Sequence, residues 1–161
     1  MKKIYWPSVV LLFLALSTQR LLCQQLVIQA DAGKRVVLGR AEIEALPRAT
    51  VMAGGPQAQT KFEGVTLKLL LEKAGVGFGE TLKGKRLASC LVVEAADGYR
   101  VVMALPELDP AFNEKEVLLV FLQDGKVLDD KQGPYRLVIP NGKRMARWVK
   151  QVTALRIVDV Q

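Results

Sequence analysis

An apolar run in the second half of the chain places the strongest constraint on the fold. The segment from Glu116 to Asp130 reads EVLLVFLQDGKVLDD, and its residues from Val117 to Leu122 are apolar without a break. Successive side chains of a β-strand point to opposite faces, so such a run predicts a strand that is buried on both faces. Asp124 and Gly125 then turn the chain. The run therefore predicts a sheet that other elements cover on both sides.

The rest of the chain supplies more strands than helices. Segments rich in Val, Ile and Leu and bounded by turn residues predict strands at 25–31, 34–39, 49–53 and 60–65, in both arms of a hairpin within 86–105, at 134–140, and from Arg147 to the C-terminus. The two-residue turn of the hairpin is predicted at Asp97-Gly98, with positive φ.

The predicted helices are short and lie between these strands. The clearest one covers residues 66–75, where Thr66 can cap the first turn and Gly75 can end the last. Shorter helices are expected at 40–47 and 105–112. This mixture indicates the α+β class, with residues 25–161 as one compact domain of mixed β-sheet and short helices.

The N-terminus has the pattern of a secretory signal. Lys2 and Lys3 precede an apolar run from Val9 to Leu16. That run is shorter than the roughly 20 apolar residues of a membrane-spanning helix. We therefore expect residues 1–23 to be a signal peptide and the protein to be periplasmic or secreted, with membrane contact only through an uncleaved signal. Cleavage after Ser17 and cleavage after Cys23 both fit the residues.

Charge and composition exclude several classes of function. Removing residues 1–23 removes three cations and no acid, so the net charge falls from +7 to +4. So mild a basicity argues against a nucleic-acid partner. The chain has no histidine, which excludes Ser-His-Asp triads and histidine-ligated zinc. Cys90 lies in an apolar period-2 stretch and is predicted to be a small buried core residue.

Three segments, in order, resemble one known family. They are Phe62–Val76 (FEGVTLKLLLEKAGV), Ala96–Leu108 (ADGYRVVMALPEL) and Gly133–Val152 (GPYRLVIPNGKRMARWVKQV). Together they resemble the molybdopterin-binding domain of the sulfite oxidase-like oxidoreductases, over most of the chain from about Pro47 to Val158. The resemblance implies the sulfite oxidase-like fold. It also implies a molybdenum atom held by a pterin dithiolene and by a cysteine thiolate of the protein.

The resemblance also implies which residues contact the cofactor. In that family, backbone amides and a basic segment before a lysine-tryptophan pair grip the pterin and its phosphate. Here Arg144 and the pair Arg147-Trp148 match that segment, and Lys143 lies beside it. Asp97 and Tyr99 would line the cofactor or substrate cleft.

The residues themselves leave two interpretations open for each of these groups. Lys143, Arg144 and Arg147 can form an oxyanion or phosphate pocket, because arginine binds such oxygens bidentately. They can equally be a solvated strand face, with Trp148 covering the edge of the core. Asp97-Gly98-Tyr99 can likewise be an ordinary hairpin turn.

One departure from the family pattern bears on the function. The metal-ligating cysteine is expected within Thr50–Val65, and that segment contains no cysteine. Met52 offers a thioether, which is a poor substitute for an anionic thiolate. We therefore expect either molybdopterin without thiolate-bound molybdenum or no cofactor.

Three functions follow from this departure. The first is an exported binding module for a small anionic or pterin-like ligand, with a protein as a further candidate partner. The second is an active molybdopterin-dependent oxidoreductase acting on a small oxo-substrate. The third is a structural or adaptor protein with no small ligand.

Overall fold

The computed structural model describes residues 24–55, 58–114, 116–140 and 144–159. Within these ranges, ten strands and two short α-helices form two sheets and their connections. The strands are β1 (Leu26–Gln29), β2 (Arg35–Leu38), β3 (Ala49–Gly55), β4 (Ala58–Thr66), β5 (Ser89–Ala95), β6 (Arg100–Ala104), β7 (Leu118–Gln123), β8 (Lys126–Val127), β9 (Arg136–Val138) and β10 (Val152–Asp159). The helices are α1 (Arg40–Glu44) and α2 (Leu67–Lys73).

The strands form two sheets, one mixed and one antiparallel. The first sheet has the order β2-β1-β10-β5-β6, in which only the β1–β10 pair is parallel. The second has the order β3-β4-β7-β8, and β9 also pairs with β7. Helices are few and short, so the expected α+β class is confirmed.

Both faces of the second sheet are buried, as the apolar run predicts. On β7, Leu119 and Phe121 belong to the main core, which also takes in the inner face of the first sheet. Leu118 and Val120 face the opposite way, into a smaller apolar cluster that includes Trp148. Asp124 and Gly125 both have positive φ, 50° and 76°, in the two-residue turn from β7 to β8.

Helix α2 also forms as its sequence indicates. The Thr66 hydroxyl accepts a hydrogen bond from Leu69 N at 3.3 Å, Leu67, Leu70 and Leu71 are fully buried, and Gly75 follows the helix with φ +95°. The capping residue sits at the end of β4, so the helix starts where the strand leaves the sheet.

The close approach of β4 to β7 explains why the Phe62–Val65 motif contains Gly64. A Cβ at this position would lie 2.1 Å from Leu119 O and 2.5 Å from Val120 Cα. The β4–β7 register shifts between Glu63 and Gly64, which brings the two backbones together there. Only glycine fits this close approach.

Three predictions about local structure are wrong. The stretch from Arg147 is not a strand at its start: Met145–Arg147 is a 3₁₀ turn, and β10 begins only at Val152. Of the residues at the Asp97-Gly98 turn, only Gly98 has positive φ, +85°. Cys90 is half-buried rather than buried, because the alternation of β5 turns it to the outer face of the first sheet.

The first twenty-three residues, which carry the predicted signal, lie outside the described ranges. In the part of the chain that the structure describes, no helix is long and apolar enough to cross a membrane.

Candidate ligand groove beside Trp148

Trp148 is the anchor of the C-terminal segment over the second sheet. It is 6% exposed, and its Nε1 donates a hydrogen bond to Ile139 O at 3.1 Å. Its ring meets the edge of Phe62 at a centroid distance of 5.7 Å and an interplanar angle of 87°. The segment leading to Trp148 is therefore fixed on the sheet although it forms no strand.

Arg136 lies beneath Trp148 and next to Phe62. Its guanidinium carbon is 5.2 Å from the Trp148 ring centroid and 5.6 Å from that of Phe62, distances at which a cation is attracted to an aromatic face. Nη1 donates to Gln132 Oε1, whereas the buried Nε has no acceptor among the described residues. Burial lowers the pKa of Arg136, and the charge of Asp129 opposes that shift.

A groove of about 320 Å³ opens where Trp148 meets the β5–β6 hairpin. We call it the Trp148 groove. Its lining residues are Ala95, Asp97, Tyr99, Lys131, Ala146, Trp148, Lys150 and Gln151.

Hydrogen bonds hold the hairpin against the C-terminal segment at this groove. Tyr99 OH donates to Ala146 O at 2.8 Å. Asp97 Oδ1 accepts a hydrogen bond from Tyr99 N at 2.9 Å. Asp97 Oδ2 takes no part in this hydrogen bond. The Tyr99–Ala146 hydrogen bond therefore joins two segments that lie 47 residues apart in sequence, and both segments line the groove.

Gln151 joins the groove to the turn that carries Lys131. It has a φ of +49°, and its N donates to Gln132 O at 2.9 Å. Its carbonyl accepts from Ala96 N at 3.0 Å, and its Nε2 donates to Asp130 O at 2.7 Å. These contacts place Lys131 and Lys150 in the lining of the same groove.

The Trp148 groove is suited to an anion. Lys131 and Lys150 supply two positive charges against the single carboxylate of Asp97. Among the described residues, neither lysine has a carboxylate within 4.0 Å of its ammonium.

A larger groove, about 450 Å³, is less suited to an anion. It contains the carboxylates of Asp129 and Asp130 and one cation, Arg40. Arg40 is already paired with Glu44 at 2.7 Å. Hydrogen bonds from the Gln132 side chain and nearby backbone amides lower the pKa of Asp129. The two carboxylates outnumber the one cation in this groove.

The structure brings together three of the six predicted cofactor-binding residues. Asp97, Tyr99 and Trp148 all line the groove. Arg147 is directed elsewhere, since its Nη2 lies 3.1 Å from Glu107 Oε2. Arg144 is exposed and does not line the groove, and Lys143 lies outside the described residues.

Sequence reasoning missed Lys131 and Gln151 as groove residues. It also assigned no role to Lys150 or Arg136. Lys131 follows two aspartates in a polar turn, a setting typical of solvent-exposed residues. No local signal marks it, because only the contacts of Gln151 bring its turn to Trp148.

The described residues do not fit a thiolate-bound molybdenum. No group of three or more Cys, Asp or Glu side chains in the described ranges could hold a metal ion. Cys90 stands five residues before the groove residue Ala95 on β5, a separation of roughly 17 Å along an extended strand. Met52, the only sulfur on β3, is 55% exposed and provides no thiolate. The groove instead provides two ammonium groups, Lys131 and Lys150, which attract anions and not a metal cation.

Comparison with known proteins assigns this chain to a family. The family model described as "Oxidoreductase molybdopterin binding domain" matches residues 26–161. A search of curated proteins found no match. Among solved structures, the sulfane dehydrogenase SoxCD from Paracoccus pantotrophus is similar to this chain, with a TM-score of 0.66 and 24% identity. The match covers 86% of this chain and 39% of that one, so this chain spans well under half of the SoxCD chain and shares its fold. The chain belongs to the oxidoreductase molybdopterin-binding domain family, and the sulfite oxidase-like resemblance of its sequence is confirmed.

Proposed function

We propose that this protein is an exported binding module that takes a small anionic or pterin-like ligand in the Trp148 groove, without a thiolate-bound molybdenum. The observation that carries the proposal is the pair of lysines, Lys131 and Lys150, beside the buried ring of Trp148. Ammonium groups attract phosphate or sulfonate oxygens, which are the anionic groups of the proposed ligand class.

The electrostatics of the surroundings support the same ligand class. Arg136 adds a third cation behind the Trp148 ring, and no carboxylate among the described residues lies within 4.0 Å of its guanidinium. Removing a cation from water without a paired anion is costly. An anion in the groove would offset part of that cost.

A test of the groove compares two double variants by thermal shift with inorganic phosphate and with sulfate. Lys131→Gln/Lys150→Gln removes the two groove cations, and Lys73→Gln/Lys126→Gln removes two exposed cations elsewhere. We expect the anion-induced rise in Tm to disappear in the first variant and to remain in the second. An equal rise in the two variants would refute an anion site at this groove.

The second candidate, an active molybdopterin-dependent oxidoreductase acting on a small oxo-substrate, is favoured by the family match alone. Elemental analysis and pterin fluorescence of protein purified from its native host separate the two. Pterin or another anion without molybdenum supports the binding module. Stoichiometric molybdenum supports the oxidoreductase and overturns our first choice.

We propose export because residues 1–23 combine basic residues with an apolar run, as a secretory signal does. The test is N-terminal sequencing of the protein recovered from the periplasmic fraction. We expect a chain that starts at Thr18 or Gln24. A full-length chain in the cytosolic fraction would overturn this part of the proposal.

A further inference from the structure

The outer face of the first sheet carries an unusual arrangement of arginines. Strand residues on this face alternate with the buried ones, and its charged members are Arg35 on β2, Glu94 on β5, Arg100 on β6 and Arg156 on β10. We call this surface the arginine face. Three cations oppose one anion among these strand positions, so the face has a net positive charge.

Glu94 holds two of the arginines in place. Arg100 Nε lies 2.7 Å from Glu94 Oε1, and Arg156 Nη2 lies 2.9 Å from Glu94 Oε2. The Glu94 side chain is only 12% exposed, while those of Arg100 and Arg156 are 64% and 44% exposed. The carboxylate is thus covered by the two guanidinium groups that it binds.

Each guanidinium keeps most of its donors available. Arginine has five N–H donors, and Glu94 engages one nitrogen of each side chain. No other carboxylate among the described residues lies within 4.0 Å of Arg100 or Arg156. Both therefore present free donors to solvent from positions that the sheet and Glu94 have fixed, which reduces the entropy lost on binding.

Exposed valines share the arginine face with these donors. Val37, Val102 and Val158 project from β2, β6 and β10 of the same sheet, with 38%, 57% and 45% of their surface exposed. Aliphatic side chains beside arginine are typical of protein interfaces, whose centres are apolar and enriched in arginine.

We propose that the arginine face docks an acidic protein partner, one that presents carboxylates flanked by aliphatic side chains. Charge complementarity favours this occupant, since paired carboxylates accept the free guanidinium donors bidentately. A second copy of this chain is disfavoured, because two arginine faces would bring like charges together. A lipid surface is disfavoured as well, because the face is apolar only through short valines and has none of the aromatic anchors of membrane interfaces. This surface is separate from the Trp148 groove and does not depend on the function proposed for it.

The test uses a fluorescein-labelled Glu-Val-Glu-Val-Glu-Val peptide as the probe, with binding followed by fluorescence anisotropy at low salt. We expect the acidic peptide to bind and the matching Lys-Val peptide not to bind. Salt at about 1 M should abolish binding, because it screens the charges. Arg100→Gln/Arg156→Gln should weaken binding by at least about tenfold, whereas Lys73→Gln/Lys126→Gln should leave it within about twofold.

A second variant keeps the proposal testable if the first one does not fold, since Arg100→Gln/Arg156→Gln leaves Glu94 without its two arginine partners. Val102→Glu changes an exposed residue and places a carboxylate on the face, so it should also weaken binding while leaving Tm nearly unchanged. Equal binding of the peptide by the wild type and both variants would overturn the proposal. Two other results would also overturn it: arginine-dependent binding to anionic phosphatidylglycerol vesicles without peptide binding, or arginine-dependent self-association in sedimentation.

Discussion

The Arg136 guanidinium lies over the Trp148 ring, with 5.2 Å between the guanidinium carbon and the ring centroid. Trp148 in turn packs edge-on against Phe62. This cluster of three side chains holds the C-terminal segment on the second sheet, and Trp148 is its one member that lines the groove. Its members come from β4, β9 and the turn before β10.

We expect Trp148→Ala to lower the free energy of unfolding by about 3–5 kcal/mol, because it leaves a cavity in the smaller apolar cluster. Trp148→Phe should cost less, since it keeps most of the packing and loses the hydrogen bond to Ile139 O, worth about 1 kcal/mol. Urea unfolding of both variants measures the difference. Equal losses of unfolding free energy in the two variants would mean that the packing of the ring does not stabilise the cluster.

Arg136→Met should change the free energy of unfolding by no more than about 1 kcal/mol. The variant loses two cation–aromatic contacts but relieves the desolvation of a charge whose Nε has no acceptor among the described residues. Arg136→Ala, which also removes the packing of the side chain, serves as the comparison and should be clearly less stable. A loss above about 3 kcal/mol in the methionine variant would show that the charge itself stabilises the fold.

Gly64→Ala should lower the free energy of unfolding by at least about 3 kcal/mol or prevent folding, because the new Cβ would clash with the backbone of β7. Gly55→Ala is the matched control, since no atom lies within 4 Å of the Cβ it would add and its φ is not positive. Guanidinium unfolding of the two variants provides the measurement. Comparable stabilities would show that β4 and β7 separate easily at this point.

Asp109 should make the protein sensitive to acid. Its carboxylate accepts hydrogen bonds from Gly79 N at 2.6 Å and from Ala111 N at 3.1 Å. These bonds, chiefly the one from Gly79, keep the pKa of Asp109 below its ordinary value against the effect of burial. A lowered pKa contributes stability above about pH 4 that is lost as the pH falls through the folded-state value.

Asp109→Asn should therefore flatten the fall in stability below about pH 4. It should also lower stability at pH 7, by about 1–3 kcal/mol, because the amide cannot replace both accepted hydrogen bonds. Urea unfolding between about pH 2.5 and 7 provides both quantities. The same acid dependence in the wild type and the variant would assign the effect to other carboxylates.

Cys90→Ser should leave any bound molybdenum unchanged, because Cys90 lies at the far end of β5 from the groove. Elemental analysis of wild type and variant purified side by side tests this. A loss of molybdenum in the variant, at unchanged Tm, would show that the thiol does ligate the metal.

The sequence by itself determined the parts of this protein that depend on neighbouring residues. The apolar run at Leu118–Leu122 predicted a strand buried on both faces because side-chain direction follows from the period of a strand. Thr66 and Gly75 predicted both ends of α2 because capping is local. The ordered motifs also predicted the family correctly.

The tertiary structure decided the site. Met145–Arg147 forms a 3₁₀ turn, and the contacts of the next residue, Trp148, with Ile139 O and the Phe62 ring hold the segment on the second sheet. Arg147 leaves the groove because Glu107, forty residues earlier, pairs with it, and Lys131 enters because Gln151 binds its turn. Such long-range pairings are set by how the two sheets and their connections pack, and the local sequence carries no record of them.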